Sequence, residues 1–298
     1  MHQSYWGIDL GGTKIEGVVL TSLDNPEPLC RLRVDTNAHL GYEHIVTQAA
    51  ELLAAMRQET GLTPERVGVG HPGVLDPRTK LLKNSNTQCL NGKPFQRDFE
   101  SKIGIPAMLA NDANCFALAE ACYGAARNAS VVFGVIMGTG VGGGIVLSRK
   151  VHSGAQGIAG EWGHNVLDPT GPECYCGKRG CVEAMISGPA LEKLYFDRTN
   201  RKAPLSEIVS LAESGQEQAA ADVLDHLTTW FGRAITVVIN ILDPDCVVIG
   251  GGVSNIDALY TRGVAEAART TFNDSLSTPI VKNLLGDSAG VFGAAMLT

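Results

Sequence analysis

Residues 6–20, WGIDLGGTKIEGVVL, can be laid over residues 133–147, FGVIMGTGVGGGIVL. Gly7 then meets Gly134, Gly11 meets Gly138, Gly17 meets Gly144, Val19 meets Val146 and Leu20 meets Leu147. Each stretch reads as an apolar strand, a glycine turn and a second strand, which is a hairpin opening and not a parallel crossover. Any two glycine-rich hairpins look alike over so short a span, and that reading stays open. The other reading is a duplicated domain whose two copies face each other and offer two turns to one ligand. At 298 residues the chain is long for one core and comfortable for two domains of ordinary size with a cleft between them.

The segments around the hairpins fit an α/β protein. Residues 41–60, GYEHIVTQAAELLAAMRQET, carry apolar side chains at helical spacing, and RVGVGHPGVLD then returns to a buried strand and a Pro/Gly turn. Further on, TTWFGRAITVVINIL reads as a helix that stops at Asp243-Pro244. CVVIGG follows as a buried strand, then a triple-glycine turn opening a helix, an arrangement that aims backbone N–H groups at an anion. GDSAGVFGAAMLT supplies a short closing helix.

Composition narrows the partners. The formal charge is −7 and no Lys/Arg run is present, which argues against a nucleic-acid surface and for a small molecule. The N-terminus MHQSYWGIDLGG lacks a basic region and an apolar core, and no stretch of about 18 apolar residues occurs, so neither secretion nor a membrane span is expected and a cytoplasmic location follows by default. Of the 8 cysteines, Cys174, Cys176 and Cys181 crowd together while Cys30, Cys89, Cys115, Cys122 and Cys246 stand singly. In a reducing compartment clustered thiols point to metal, and isolated ones to small core residues.

Three glycine turns, at residues 11–12, 138–144 and 250–252, each follow an apolar strand and together suggest a polyphosphate ligand. GTGVGG satisfies G-x-G-x-x-G, but the extended IVLSRK follows it where the dinucleotide fingerprint requires a helix, and no P-loop motif occurs. In the first turn Asp9, Gly11, Gly12, Thr13 and Lys14 form Asp-x-Gly-Gly-Thr-Lys. A carboxylate at the end of a buried strand needs a partner, and hydrated Mg²⁺ beside phosphates is a plausible one, a capped turn being the alternative. Asn111-Asp112 opens a helical stretch and reads either as an N-cap or as a carboxylate kept ionised at a helix N-terminus, suited to general-base work. His164 with Cys174, Cys176 and Cys181 offers one nitrogen and three sulfurs, the ligand set of a closed structural zinc site.

DLGGTK, ANDANCFALAEA, MGTGVGGGIV, GEWGH, CYCGKRGCVE and VVIGGGVSN occur in an order and spacing that resembles the ROK family of bacterial sugar kinases, over residues 7 to 295. That resemblance implies a two-domain, actin-like and hexokinase-like ATPase fold built from duplicated ribonuclease-H-like α/β domains. The smaller domain is expected at residues 1–111 plus 286–298 and the larger, with its zinc loop, at 112–285. It implies Asp112 as the catalytic base, with Asn111 beside it on a sugar hydroxyl, and structural Zn²⁺ on His164, Cys174, Cys176 and Cys181. Four protein ligands leave that metal no open position for water, so zinc is not the expected catalyst.

In the family the residues matching Glu161, His164 and Glu183 also reach sugar hydroxyls. Gly73 of the Pro-Gly turn and Asn86, with Asn84 next to it, fall where the family has its substrate loop, or are ordinary turn residues. The resemblance further implies ATP with Mg²⁺ at Asp9, Gly11, Gly12, Thr13, Lys14, Gly138, Thr139, Gly140, Gly250, Gly251 and Gly252.

The implied reaction is in-line phosphoryl transfer from ATP to a hexose hydroxyl, at the 6-position, with glucose or fructose favoured. Cys89 stands where some fructose or mannose kinases of the family carry tryptophan, which weakens a case for those sugars. Kinases of N-acetylglucosamine or N-acetylmannosamine are the alternative, as is a non-catalytic sugar sensor. The family's repressors carry a DNA-binding domain ahead of this body, and the first motif at Gly7 is expected to leave no room for one. A zinc-containing nicotinamide-dependent dehydrogenase is the rival suggested by GTGVGG. A homodimer or homotetramer is the expected assembly.

Overall fold

The computed structural model describes residues 4–23 and 27–298. The chain divides into two compact units. One takes in the chain up to Asn128 together with Gly144–Ala159 and Leu284–Thr298, and the other comprises Ala129–Gly143 and Gly160–Asn283.

The chain opens with strands β1 (Tyr5–Leu10), β2 (Lys14–Leu20) and β3 (Pro28–Asp35), an antiparallel meander in which Asp9 lies opposite Glu16. Helix α1 (Tyr42–Thr60) follows, burying Ile45, Ala49, Leu52, Leu53 and Met56 at three- and four-residue spacing and ending on Gly61, whose left-handed backbone donates to the Arg57 carbonyl. After it come β4 (Val67–His71), the short pair β5 (Val74–Leu75) and β6 (Leu82–Lys83), helix α2 (Phe95–Ile103), β7 (Ala107–Asn111) and helix α3 (Asp112–Cys122). The main sheet has the order β3-β2-β1-β4-β7, with β1, β4 and β7 parallel. Trp6, Ile8 and Leu10 on one face of β1 join the core formed with Ile45 and Leu53 of α1 and Phe95 and Phe99 of α2.

Strands β8 (Val131–Met137), β9 (Val141–Leu147) and β10 (Lys150–Val151) come next, and then helices α4 (Val182–Ile186), α5 (Gly188–Thr199), α6 (Leu205–Glu213) and α7 (Gln218–Leu242). Strand β11 (Cys246–Gly250), helix α8 (Arg262–Thr270), β12 (Ile280–Lys282) and helix α9 (Ala289–Ala295) complete the chain. The second sheet runs β10-β9-β8-β11-β12, with β8, β11 and β12 parallel. Position for position this is the strand order of the first sheet, and the two aligned hairpins occupy equivalent places in it. The duplication read from the glycine spacing is therefore present in the topology.

Two expectations need correction. The unit boundary lies at Asn128/Ala129, not at 111/112, because α3 packs on α9, β7 and β4 and so stays with the first unit. No α-helix opens on the 250–252 turn either: Gly252–Asn255 and Asp257–Leu259 are 3-10 turns, and α8 starts only at Arg262. Ser254 Oγ donates to the Gly251 carbonyl at 2.7 Å and Tyr260 Oη to the Ser254 carbonyl at 2.8 Å, which holds the chain in tight 3-10 geometry instead of letting it propagate.

Helix α9 covers the other face of β1 and β4 at a distance that excludes side chains. A Cβ on Gly68 would sit 1.8 Å from the Ala294 carbonyl oxygen. Gly68→Ala is expected to lower stability by about 1–3 kcal/mol through overpacking, read as a lower urea midpoint. A midpoint unchanged from wild type would show that α9 does not rest on β4.

Candidate functional site

In the first unit, two carboxylates stand at the ends of β1 and β7. The N-cap of α3 proves to be Asn111, whose Oδ1 accepts from the Asn114 N–H at 2.8 Å, leaving its Nδ2 for a ligand. Asp112 is then the first helical residue. Its Oδ1 accepts from the Ala113 N–H at 2.8 Å, and its side chain reaches water while protein surrounds it on the remaining sides. The helix N-terminus was expected to favour the ionised form. Burial outweighs it and pushes the Asp112 carboxyl above the ordinary range, although the Ala113 N–H pulls it down. A base raised in this way holds a transferred proton better than a free carboxylate does.

Asp9 is pushed further, to about 7, first by burial and then by the charges of Asp112 and Glu16. Glu16 itself is buried and held by Arg31 and Arg33. Helix α9 approaches Asp9 with glycine: a Cβ on Gly290 would lie 2.7 Å from Asp9 Oδ2. A crowded, desolvated carboxylate with a second acid close enough to raise it is a seat for a cation.

The adjoining turn is built by backbone. The Gly11 N–H donates to the Lys14 carbonyl at 2.9 Å, and the fully buried Thr36 clamps both sides, its Oγ1 donating to the Gly11 carbonyl at 2.7 Å and its N–H to the Thr13 carbonyl at 2.9 Å. Gly12, Thr13 and Lys14 are left exposed. Thr36 carries no motif, and its role is visible only in the fold.

The loop after β6 sits beside this turn, with the Thr87 hydroxyl 3.5 Å from where a Cβ on Gly12 would be. Asn84, with left-handed backbone, and Asn86 are both exposed on it. Gly73 takes φ +79° and leaves no room for a Cβ, which would meet the Lys83 carbonyl oxygen at 2.5 Å. The organiser of the loop is Asn91, which sequence reasoning missed: its Oδ1 accepts from the Ser85 N–H at 2.8 Å and its Nδ2 donates to the Ser85 carbonyl at 2.9 Å.

In the second unit, the turn from Gly138 to Gly140 is stitched to the helices behind it. The Gly188 N–H at the start of α5 donates to the Gly138 carbonyl at 2.9 Å, and Glu183 Oε2 on α4 accepts from the Val141 N–H at 2.8 Å. A Cβ on Gly140 would stand 2.6 Å from that carboxylate oxygen, so glycine here makes room for Glu183. Thr139 is exposed on this turn, and the Gly252 N–H group lies 3.8 Å from where a Cβ on Gly138 would be, which puts the 250–252 turn beside it.

The loop carrying Glu161 and His164 is pinned to the same strand. Trp162 is buried, stands edge-on to Phe133 with centroids 5.7 Å apart, and donates its Nε1–H to the Gly142 carbonyl at 2.9 Å.

His164, Cys174, Cys176 and Cys181 converge, their candidate ligand atoms all within 4.8 Å of one another. Cys174 Sγ is 3.7 Å from His164 Nδ1, and the Sγ atoms of Cys176 and Cys181 are 3.6 Å apart. A tetrahedron with metal–sulfur bonds of about 2.3 Å has edges of about 3.8 Å, so the donor set and its spacing fit zinc.

The Asp9 shift has a measurable consequence. Between about pH 4 and 7 the folded protein keeps a proton on Asp9 that the unfolded chain, at 3.8, has released. Its contribution to stability therefore falls as pH rises through that window. In metal-free buffer, Asp9→Asn should remove this decline in the urea midpoint, and parallel pH profiles for the two proteins would rule it out.

The model of the ROK family matches residues 5–298. The N-acetyl-D-glucosamine kinase of Salmonella paratyphi C is 35% identical over 306 residues, covering 98% of each chain. Among solved structures, a ROK hexokinase from Thermus thermophilus has a TM-score of 0.89 at 33% identity, covering 99% of this chain and 98% of its own. A ROK glucokinase from Streptomyces griseus, in complex with glucose and AMPPNP, has a TM-score of 0.81 at 28% identity, covering 99% of both. With the two equivalent five-stranded sheets of the actin-like ATPase fold, a match over nearly its full length and relatives above 30% identity, the chain belongs to the ROK family.

Proposed function

We propose that this protein is an ATP-dependent carbohydrate kinase that phosphorylates a hexose at its 6-hydroxyl, with Asp112 as the general base. The observation that carries this reading is Asp112 itself: a water-accessible carboxylate on the first turn of α3, raised by burial and left ready by a cap that falls on its neighbour. In this reading Asp112 orients and deprotonates the sugar hydroxyl, and Asn111 Nδ2 donates to an adjacent one. Glu161, His164 and Glu183 hold further hydroxyls, with Gly73, Asn84 and Asn86 as the contacts from the substrate loop. Bidentate and paired acceptors of this kind set stringent recognition of vicinal hydroxyls.

The exposed residues Gly12, Thr13 and Lys14, the Gly138–Gly140 turn and the Gly250–Gly252 turn, where Gly251 and Gly252 are exposed, receive the phosphates. Asp9 is the residue that would hold Mg²⁺, which supplies charge neutralisation at the phosphates when bound. An open pocket of about 570 Å³ along α5, whose first N–H holds Gly138, is lined by Pro189, Phe196, Ala203 and Pro204 together with the charged Glu192, Lys193 and Lys202, and would take the nucleotide base. Zn²⁺ on His164 and the three cysteines is structural.

Glucose or fructose is favoured as acceptor. The second reading is N-acetylglucosamine, supported by the name of the Salmonella relative. Among the described residues no helix is long and apolar enough to cross a membrane, which fits the proposed cytoplasmic location, and a homodimer or homotetramer is the proposed assembly.

Sugar-dependent ADP release across glucose, fructose, mannose, N-acetylglucosamine and N-acetylmannosamine, with kcat/KM for each, tests both readings. Asp112→Asn should lose about 10²–10⁴-fold in kcat on the best acceptor while still binding it. Turnover near the wild-type rate would remove Asp112 from the chemistry, and no ADP release with any hexose would sink the kinase.

The zinc assignment gives a separate expectation. The purified protein should hold one zinc per chain, and stripping it should raise KM for the sugar or unfold the loop before it affects the phosphoryl-transfer step. A protein without zinc and indifferent to chelators would refute it.

A further inference from the structure

Tyr175 stands between two of the clustered cysteines, Cys174 and Cys176. It is 79% exposed, yet its hydroxyl lies 3.1 Å from His164 Nε2, and its ring meets the imidazole edge-on with centroids 5.2 Å apart at 89°. The other imidazole nitrogen, Nδ1, faces Cys174 Sγ at 3.7 Å and belongs to the cysteine cluster. An imidazole that gives Nδ1 to such a cluster keeps its one N–H on Nε2. That single donor is directed at the Tyr175 hydroxyl, so a sugar hydroxyl arriving at His164 finds the N–H already taken.

The neighbourhood of the hydroxyl is polar. With the imidazole proton on Nε2, the phenol oxygen is the acceptor of this hydrogen bond, and the charges of Glu183 and Glu161 act on the same hydroxyl. The same two glutamates are the carboxylates proposed to hold sugar. Tyr175 thus places a hydroxyl on one of the three side chains that would bind the hydroxyls of a substrate.

We propose that Tyr175 is an affinity-determining residue that competes with the sugar for the single His164 Nε2–H. Its hydroxyl holds that donor in the empty protein and yields it when a hexose binds. The proposal rests on the reading of His164 as a sugar contact. Displacement fits better than a fixed relay through the phenol, because an exposed ring held by one hydrogen bond and one edge contact gives up little on leaving. The competition weakens sugar binding by the value of one exposed hydrogen bond, a factor of about two to ten.

The test is calorimetric binding of D-glucose and of N-acetyl-D-glucosamine to the wild type and to Tyr175→Phe, both zinc-loaded, with zinc per chain measured by atomic absorption. The variant keeps the ring and loses only the hydroxyl. Its Kd for the sugar that binds should be about two- to tenfold lower, with KM falling in parallel, kcat at saturation unchanged and zinc content equal. A Kd equal to or above that of wild type overturns the competition, and so does loss of zinc from the variant. ADP release with equal Kd values defeats the competition and leaves the kinase standing. Tighter binding without ADP release defeats the kinase and leaves the competition standing, and no binding of either sugar defeats both.

Discussion

Helix α9 lies on β1 and β4 so closely that its backbone, and not its side chains, makes the contact, and the first unit is organised around that approach. At Gly68 a single methyl group would collide with the Ala294 carbonyl, and at Gly290 it would collide with the Asp9 carboxylate. The same helix that closes the core therefore also strips water from the acid at the strand end. Desolvation is the leading reason why the Asp9 carboxyl is pushed up to about 7, and that desolvation comes from the packing of this helix.

The second unit uses one carboxylate to join parts that the sequence lists separately. Glu183 lies on α4 directly after the last cysteine of the cluster, and its Oε2 accepts from Val141 in the glycine turn. One oxygen is thereby committed to shaping the turn. Trp162 anchors the preceding loop on β9 in the same way, so Glu161 and His164 are referenced to the strand that bears the turn. The Glu161–His164 loop, Glu183 and the glycine turn are thereby joined through β9.

Much of this was legible in the sequence because it depends on residue types that tolerate few substitutes. Glycines at hairpin turns pointed to the duplication, and His164 with three cysteines pointed to the four side chains that converge in the fold. The Asn111 cap was visible for the same reason. What was hidden depends on three-dimensional approach. Thr36 and Asn91 shape their loops through side-chain bonds to backbone far along the chain or in unremarkable turns, and neither carries a pattern. The direction of the Asp112 shift required knowing how deeply α3 is embedded, because a helix N-terminus and burial act in opposite senses and only the structure weighs them. The helix expected after the 250–252 turn failed because two hydroxyls, from Ser254 and Tyr260, hold carbonyls there.

The division of the chain bears on how the protein is made. The first unit is discontinuous: its sheet and α3 leave the ribosome early, while Leu284–Thr298 follows only after the whole of Gly160–Asn283. Until α9 arrives, the glycine face of β1 and β4 stays uncovered and Asp9 stays hydrated. During synthesis the nascent first unit exposes an unfinished sheet face for as long as the second unit takes to be translated. The acid at the end of β1 is desolvated only once that helix is in place.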